Sequence, residues 1–245
     1  MLEVLRGAER DRIFSLVEWV PLNLGEVLCE AGQPFSHAYF PIDGIVSILY
    51  VMHNAESAEI AIVGKEGMIG VPLFMGGDST SSRCIVQNGG FAYRLTAAHF
   101  KEQFARGGMF QKVLLRFAQA LITQMVQTAA CNRHHSLDQQ LCRWLLLSLD
   151  RLKSNQLKMT QKLIGNMLGL NGAGVKAAAS VLQKAGLIDY DSGHITVLCR
   201  AGIVQRSCEC YAVVKTECDR LFEFVLNADA AQLRSNPDQY LGAIA

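Results

Sequence analysis

Lysine and arginine are concentrated in one segment of this sequence, where they could bind phosphate groups. Residues 151–206 hold eight basic and two acidic residues, a net charge of +6, although the whole chain of 245 residues has a net charge of +1. A basic segment within an otherwise slightly acidic chain is the charge distribution expected of a nucleic-acid-binding module. A solvated basic surface without a partner would have the same composition, so a structural motif must coincide with the charge.

Cysteine and histidine, which can bind metals or undergo redox chemistry, stand out at two places. Cys131 is followed by His134 and His135, and Cys208 is separated from Cys210 by one residue. We predict that the first group lies at a hinge between two helices. The pair on a C-terminal helix is expected to point apart, because positions i and i+2 do not face each other. No metal site is therefore predicted, whereas thiol sensing by an exposed cysteine stays open.

Composition and motifs exclude several classes of protein. Half of the residues are hydrophobic, yet no apolar run reaches the roughly 18 residues of a membrane helix, and the N-terminus lacks a signal-peptide core. We therefore expect a cytoplasmic protein without a membrane partner. The eight scattered cysteines do not form a disulfide scaffold. No nucleophile elbow, phosphate-binding loop or zinc-protease motif is present, so we expect no enzyme activity.

The elements that must position these residues begin with a region of strands. From about residue 20 to residue 95, short apolar segments alternate with glycine-containing turns. This pattern favours a β-sandwich or a small barrel. The predicted strands include Ala38–Phe40, Gly44–Met52, Glu59–Val63 and Phe91–Leu95.

Between about residues 96 and 151 the pattern becomes helical. Thr96 is a predicted N-cap, and Gly107–Gly108 ends that helix. From Met109 to Cys131 the apolar residues are spaced by three and four, which predicts one long helix. We expect its apolar stripe to be a homodimer seam, with burial inside one chain as the alternative. The predicted seam residues are Phe110, Leu114, Phe117, Leu121 and Met125.

Residues 136–198 predict a DNA-binding unit. Ser136 opens one helix with a capping box, and Thr160 begins another that turns at Gly169. A further helix spans about 172–185, with Val175, Ala178, Ala179 and Leu182 on its apolar face. Strands at 188–190 and 194–198 then form a hairpin. This winged helix-turn-helix pattern coincides with the basic segment, which favours DNA binding.

The order of these parts resembles the cyclic-AMP-receptor/fumarate-nitrate-regulator (Crp/Fnr) family over roughly residues 15–225. The N-terminal marks are Leu24-Gly25-Glu26-Val27-Leu28, Ala31-Gly32-Gln33, Tyr39-Phe40 and Gly44-Ile45-Val46. The C-terminal marks are Thr160-Gln161, Ile164-Gly165, Met167-Leu168-Gly169-Leu170, Val175, Leu182 and Ala185-Gly186-Leu187-Ile188.

The resemblance implies an α+β fold with an N-terminal β-roll similar to the cyclic-nucleotide-binding jelly roll. A long dimerisation helix and a C-terminal winged helix-turn-helix follow. We expect a sensor domain at 1–108, a dimerisation helix and hinge at 109–135, a DNA-binding domain at 136–226 and a tail at 227–245.

The implied function is allosteric transcription regulation. A homodimer would bind double-stranded promoter DNA and RNA polymerase, under control of an unknown small-molecule effector sensed in the β-roll. The alternative is an effector-binding interaction protein of the same architecture that has lost sequence-specific DNA readout.

The effector region departs from the family's cyclic-nucleotide cassette, in which a glutamate binds the ribose and an arginine the phosphate. Gly70 and Arg83 match, but Val71 replaces the glutamate and Cys84 replaces the Ser or Thr. The intervening loop is also two residues longer. We therefore expect an effector other than cyclic AMP, with a surface salt bridge as the alternative role of Arg83. Gln124 and Thr128 on the long helix are further candidates to line the cavity.

The sequence leaves any cofactor unknown and carries no iron–sulfur signature. Members of the family that sense oxygen hold an iron–sulfur cluster with closely spaced N-terminal cysteines. Such a cluster needs four thiolate ligands close together. The first cysteine here, Cys29, is isolated.

The DNA-contacting residues depart from the family too. Many relatives read guanine with arginines early in the second helix, where this chain has Gly172, Ala173 and Ala177. Lysines and a helix N-terminus contact phosphates without reading sequence. The predicted DNA-contacting residues are Thr160, Gln161, Lys162, Asn171, Gly172, Lys176, Lys184 and His194.

Overall fold

The computed structural model describes residues 1–54, 56–158, 165, 172–191 and 193–235. Helices and strands are mixed along the chain, which confirms the predicted α+β class. Among the described residues, no helix is both long enough and apolar enough to cross a membrane.

The N-terminal part is a sandwich of two antiparallel sheets. One sheet has the strand order β1-β7-β3 and the other has the order β2-β6-β4-β5. The apolar core between them confirms the predicted sandwich. A 3₁₀ turn (Leu2–Val4) and helix α1 (Gly7–Phe14) precede the strands, and helix α2 (Pro72–Met75) lies between β5 and β6. The strands are β1 (Glu18–Leu22), β2 (Val27–Cys29), β3 (His37–Pro41), β4 (Ile45–Val51), β5 (Ser57–Val63), β6 (Ser82–Asn88) and β7 (Gly90–Thr96).

Two helices follow the sandwich where the sequence predicts them. In α3 (Ala97–Ala105), the Thr96 hydroxyl accepts a hydrogen bond from the backbone N–H of His99, as expected of an N-cap. The next helix, α4 (Gly108–His134), has 27 residues and is about 40 Å long at 1.5 Å per residue.

The apolar stripe of α4 is buried inside the chain, and the sequence-based dimer seam is corrected here. Four predicted seam residues belong to the core of the sandwich, and Met125 packs against that core. They cannot contact a partner as well, because β-strands already cover them. The four core residues are Phe110, Leu114, Phe117 and Leu121.

Helix α5 (Leu137–Leu149) joins the sandwich to the C-terminal part. Both hydrogen bonds of the predicted Ser136 capping box are present. Most of α5 is buried, in a second core shared with Ile45 and Ile62 of the sandwich. The indole Nε1 of Trp144 donates to Glu59 Oε1 at 3.0 Å. After α5, Arg151 Nε donates to Glu66 Oε1 at 2.7 Å.

The C-terminal part contains a small antiparallel sheet of order β8-β10-β9. Strands β9 and β10 form the predicted hairpin. Strand β8, which pairs with β10, was not predicted. The helix predicted to begin at Thr160 lies outside the described residues. The described elements are β8 (Gln156–Lys158), α6 (Gly172–Lys184), β9 (Ile188–Asp191), β10 (His194–Val197), α7 (Arg200–Arg206) and α8 (Glu209–Ser235).

The last helix, α8, returns along α4. Arg116 Nη1 donates to the carbonyl oxygen of Leu221 at 3.2 Å, and Gln119 Nε2 donates to Glu217 Oε1 at 3.2 Å. The C-terminal helix α8 therefore packs against α4, the helix that follows the sandwich.

The buried Glu59 carboxyl makes stability depend on pH. Burial raises its pKa from 4.5 to about 8. The folded protein therefore retains a proton that the unfolded chain releases, and the free energy of unfolding falls as pH rises from about 4.5 to about 8. We expect Glu59→Gln to reduce this fall, because the amide needs no proton to be neutral and its oxygen can still accept from Trp144. Melting temperatures between pH 5 and pH 8.5 measure the effect.

The matched control is Glu56→Gln, which changes an exposed carboxylate three residues before Glu59. Equal pH dependence of the wild type and Glu59→Gln would show that Glu59 is ionised in the folded protein.

Candidate DNA interface and effector region

Helix α6 presents one buried apolar face and one exposed face of mixed composition. The predicted apolar residues Val175, Ala178, Ala179 and Leu182 are all buried, in the core shared with β9 and β10. The outer face is exposed, and includes a lysine near each end of the helix. The exposed residues of this face are Lys176, Ala177, Ser180, Val181, Gln183 and Lys184.

Two predicted phosphate contacts therefore lie on the same helix face. Lys176 and Lys184 are eight residues apart, about 12 Å along the axis and about 80° around it. An ammonium group at each end of an exposed helix can bind phosphates on either side of a groove.

The hairpin β9–β10 supplies a third exposed residue. His194 begins β10, pairs with Asp191 across the turn and is exposed to solvent. Gly193 adopts a φ of +86°, the left-handed conformation that favours glycine in such a turn. Of the other predicted DNA contacts, Gly172 is the first residue of α6. Thr160, Gln161, Lys162 and Asn171 lie outside the described residues.

Among the effector residues predicted on the sandwich, Arg83 already has an anionic partner. Gly70 has a φ of +112° and precedes Val71, the N-cap of α2. The Arg83 guanidinium binds the Glu30 carboxylate, with Nε at 2.9 and 3.1 Å from its two oxygens. Arg83 therefore forms a surface salt bridge, the alternative to phosphate binding that the sequence left open.

Cys84 points away from solvent. It is buried in the sandwich core, and burial raises the pKa of its thiol to about 12. Cys84 and Arg83 are neighbours on a strand, so their side chains point to opposite faces of the sheet.

The Gln124 side chain hydrogen-bonds the backbone of the edge strand β5. Its side-chain amide accepts a hydrogen bond from the backbone N–H of Ile62 at 3.2 Å and donates to the carbonyl of the same residue at 3.0 Å. β5 lies at the edge of its sheet, where these backbone groups would otherwise lack a strand partner.

Thr128 lies one turn further along α4, where its hydroxyl accepts from Arg143 Nη2 at 2.7 Å. Gln124 and Thr128 line a cavity of about 20 Å³ together with Glu59 and Trp144. That volume suits about one water molecule and not a nucleotide.

A much larger groove, of about 1060 Å³, lies between the N-terminal segment, the end of α5 and α8. Sequence reasoning missed it, because distant segments form its walls. Its charged lining residues are Glu3, Arg6, Arg10, Lys65, Glu66, Asp150, Arg151, Lys153, Lys215 and Asp219.

Cys131, His135, Cys208 and Cys210 converge, which corrects the expectation that Cys208 and Cys210 point apart. Their sulfur and nitrogen atoms all lie within 4.8 Å of one another. Cys208 immediately precedes α8 and only Cys210 is helical, so helical periodicity does not separate the pair. The spacing within each pair was visible in the sequence, but their meeting was not.

A β-sandwich joined through a long helix to an exposed helix and wing defines a class of protein: a regulator whose DNA-binding part is controlled by an effector-binding part. Comparison with protein families supports both parts. Residues 19–106 match the cyclic nucleotide-binding domain, and residues 139–206 match the Crp-like helix-turn-helix domain.

The chain belongs to the Crp/Fnr family of transcriptional regulators, as its sequence resemblance implies. It is a DNA-binding regulator under effector control, and its family and fold are not those of enzymes. A comparison with curated proteins gave no match.

Solved structures of low sequence identity share the fold. A Crp/Fnr-family transcriptional regulator from Eubacterium rectale is 14% identical with a TM-score of 0.65, over 83% of this chain and 95% of that one. FixK2 from Bradyrhizobium japonicum is 14% identical with a TM-score of 0.64, over 78% and 98%. The c-di-GMP responsive regulator CLP from Xanthomonas campestris is 12% identical with a TM-score of 0.62, over 77% and 97%.

Proposed function

We propose that this chain binds promoter DNA as a cytoplasmic homodimer, with RNA polymerase as a further partner, and that its effector is not cyclic AMP. The observation that supports this proposal best is the exposed, lysine-bearing face of α6 above a fully buried apolar face. The domain division 1–108, 109–135, 136–226 and 227–245 is part of the proposal.

DNA binding by this chain depends mainly on phosphate contacts. Gly172, Ala173 and Ala177 carry no side-chain hydrogen-bond donor, so they cannot read base edges as arginine does. Lys176 and Lys184 supply positive charge on the exposed face, and His194 adds a contact from the wing. Base specificity then rests on Asn171, Lys176 and sequence-dependent DNA deformability.

Dimerisation uses the outer face of α4. Leu115, Ile122 and Val126 are 51%, 55% and 59% exposed, although all three are large and apolar. Their spacing of seven and four residues places them in one stripe, the pattern of a two-helix seam. An exposed apolar stripe on a long helix is best explained by a partner helix.

Cyclic AMP does not fit the site that the family would use. Val71 offers no acceptor for the ribose hydroxyl, Arg83 is bound to Glu30, and Cys84 lies in the core. A site without the buried acceptor loses discrimination worth a few kcal/mol. The groove of about 1060 Å³ leaves ample room for a small-molecule effector between the sensor and DNA-binding parts.

Replacement of Lys176 by alanine is expected to weaken duplex binding and to reduce the magnitude of the slope of log K against log salt concentration by about 2, because each subunit of the dimer loses one phosphate contact. Fluorescence anisotropy with a mixed-sequence duplex at several salt concentrations measures both quantities. The control is Lys101→Ala, which changes an exposed lysine of α3 that does not line the groove. Dimeric protein that binds no duplex at about 50 mM salt, with candidate effectors supplied, would favour the interaction-protein alternative.

The Ile122→Glu variant is expected to be a folded monomer, because two symmetry-related carboxylates would be buried in the seam without partners, at a cost of several kcal/mol. Light scattering gives the mass, and circular dichroism checks the fold. Met75→Glu, which changes an exposed apolar residue of α2, should remain a dimer. A dimer mass for Ile122→Glu would place the subunit contact elsewhere.

Titration calorimetry of the full chain with cyclic AMP is expected to show no saturable binding, because the described residues provide no free cation beside a ribose acceptor at residues 70–84. Micromolar, saturable binding would contradict this prediction.

A further inference from the structure

We propose that Cys131, His135, Cys208 and Cys210 form a tetrahedral zinc site that joins the end of α4 to the start of α8. The proposal is independent of the proposed function, since it concerns a cluster outside both the DNA interface and the effector region.

The distances within the cluster fit four ligands around one zinc ion. With Zn–S bonds of about 2.3 Å and Zn–N bonds of about 2.05 Å, tetrahedral angles require S···S separations of about 3.8 Å and S···N separations of about 3.6 Å. The sulfur atoms of Cys131 and Cys208 are 3.5 Å apart, and Cys210 Sγ is 3.5 Å from His135 Nδ1. All pairs lie within 4.8 Å, so small side-chain rotations would complete the site.

The backbone prepares this arrangement at two helix ends. Cys131 lies in the last turn of α4, and His135 is the extended residue that ends the helix, with φ −110° and ψ 154°. Cys208 lies immediately before α8 and Cys210 lies in its first turn. Because the three cysteines are buried together, the cluster is shielded from solvent as structural zinc sites usually are.

The second nitrogen of His135 has a carboxylate partner. His135 Nε2 lies 3.3 Å from Glu209 Oε2, while Nδ1 faces Cys210. Histidines that bind metals usually donate their other N–H to a carboxylate or carbonyl, which fixes the tautomer and the ring orientation. Glu209 is therefore a positioning residue that leaves Nδ1 free to bind the ion.

A buried arginine balances the charge of the site. Three thiolates, a neutral imidazole and Zn²⁺ have a net charge of −1. Arg143 is buried and close enough to Cys131 and Cys210 to influence their thiols electrostatically. Its Nη2 donates to Thr128, but its Nε has no hydrogen-bond partner among the described residues. Glu59 also interacts electrostatically with Arg143, but burial raises the pKa of Glu59 to about 8, so it is neutral at lower pH. A buried cation without an anionic partner is costly, and an anionic zinc site would offset that cost.

The ligand set favours zinc over other thiol chemistry. One disulfide would use two of the three thiols and leave the third buried beside the imidazole. Iron–sulfur clusters usually take four thiolates, whereas Cys₃His is a common set for closed structural zinc sites. The ion would link the start of α8 to the end of α4, next to the hinge between α4 and α5.

Metal analysis of the full chain, purified under reducing conditions, tests the proposal. Inductively coupled plasma mass spectrometry should find about one zinc per chain. Cys208→Ser should lose most of this metal, whereas Cys218→Ser and Cys142→Ser, which change cysteines outside the cluster, should keep it. Zinc retained by Cys208→Ser at the wild-type level would overturn the proposal.

Cobalt substitution of the wild-type chain needs no variant to fold. After the bound zinc has been removed with a chelator under reducing conditions, added Co²⁺ should produce the visible d–d bands of a tetrahedral site and thiolate-to-cobalt charge-transfer absorption. Glu209→Gln should keep this spectrum but bind the metal about tenfold more weakly, because the imidazole is less well oriented. Absence of both zinc and a cobalt spectrum, or a Cys131–Cys208 disulfide in the reduced preparation, would refute the site.

Discussion

Burial of α4 against the sandwich is the interaction on which the other parts of the molecule depend. Phe117 fits into the sandwich only because Gly67 lacks a side chain, since a Cβ there would lie 2.3 Å from its ring. Each large apolar side chain buried in this way contributes about 1.5–3 kcal/mol. Once one face of α4 is buried, the direction in which Leu115, Ile122 and Val126 point is determined. The positions of the C-terminal end of α4 and of α8, which packs along it, are determined as well.

Helix α5 is the physical connection between sensing and DNA binding. It begins at the Ser136 capping box, contacts β5 through Trp144 and Glu59, and packs on α6 through the second core. A protonated Glu59 is neutral, so this buried contact does not require an ion pair. Leu147 of α5 lines the neighbouring groove, so a ligand there would contact the helix on which α6 packs.

The fold of the Crp/Fnr family is retained here while the chemistry of its two sites differs. A β-sandwich is stabilised by its core, which does not require a ribose-binding glutamate at Val71 or a hydroxyl group at Cys84. Helix α6 likewise needs only Val175, Ala178, Ala179 and Leu182 to pack, so its outer face can lose arginine without loss of fold. Fold and site chemistry can therefore change separately.

Local signals determined much of this structure: the caps at Thr96 and Ser136, the buried face of α6 and the hairpin around Gly193 follow from nearby residues alone. Periodicity also showed that α4 buries one face, but not whether a partner or the chain itself covers it, since both bury apolar area equally well. Only the tertiary structure decided that question. It also brought Cys131 to Cys208, 77 residues apart, because the return of α8 along α4 depends on contacts that no local pattern encodes.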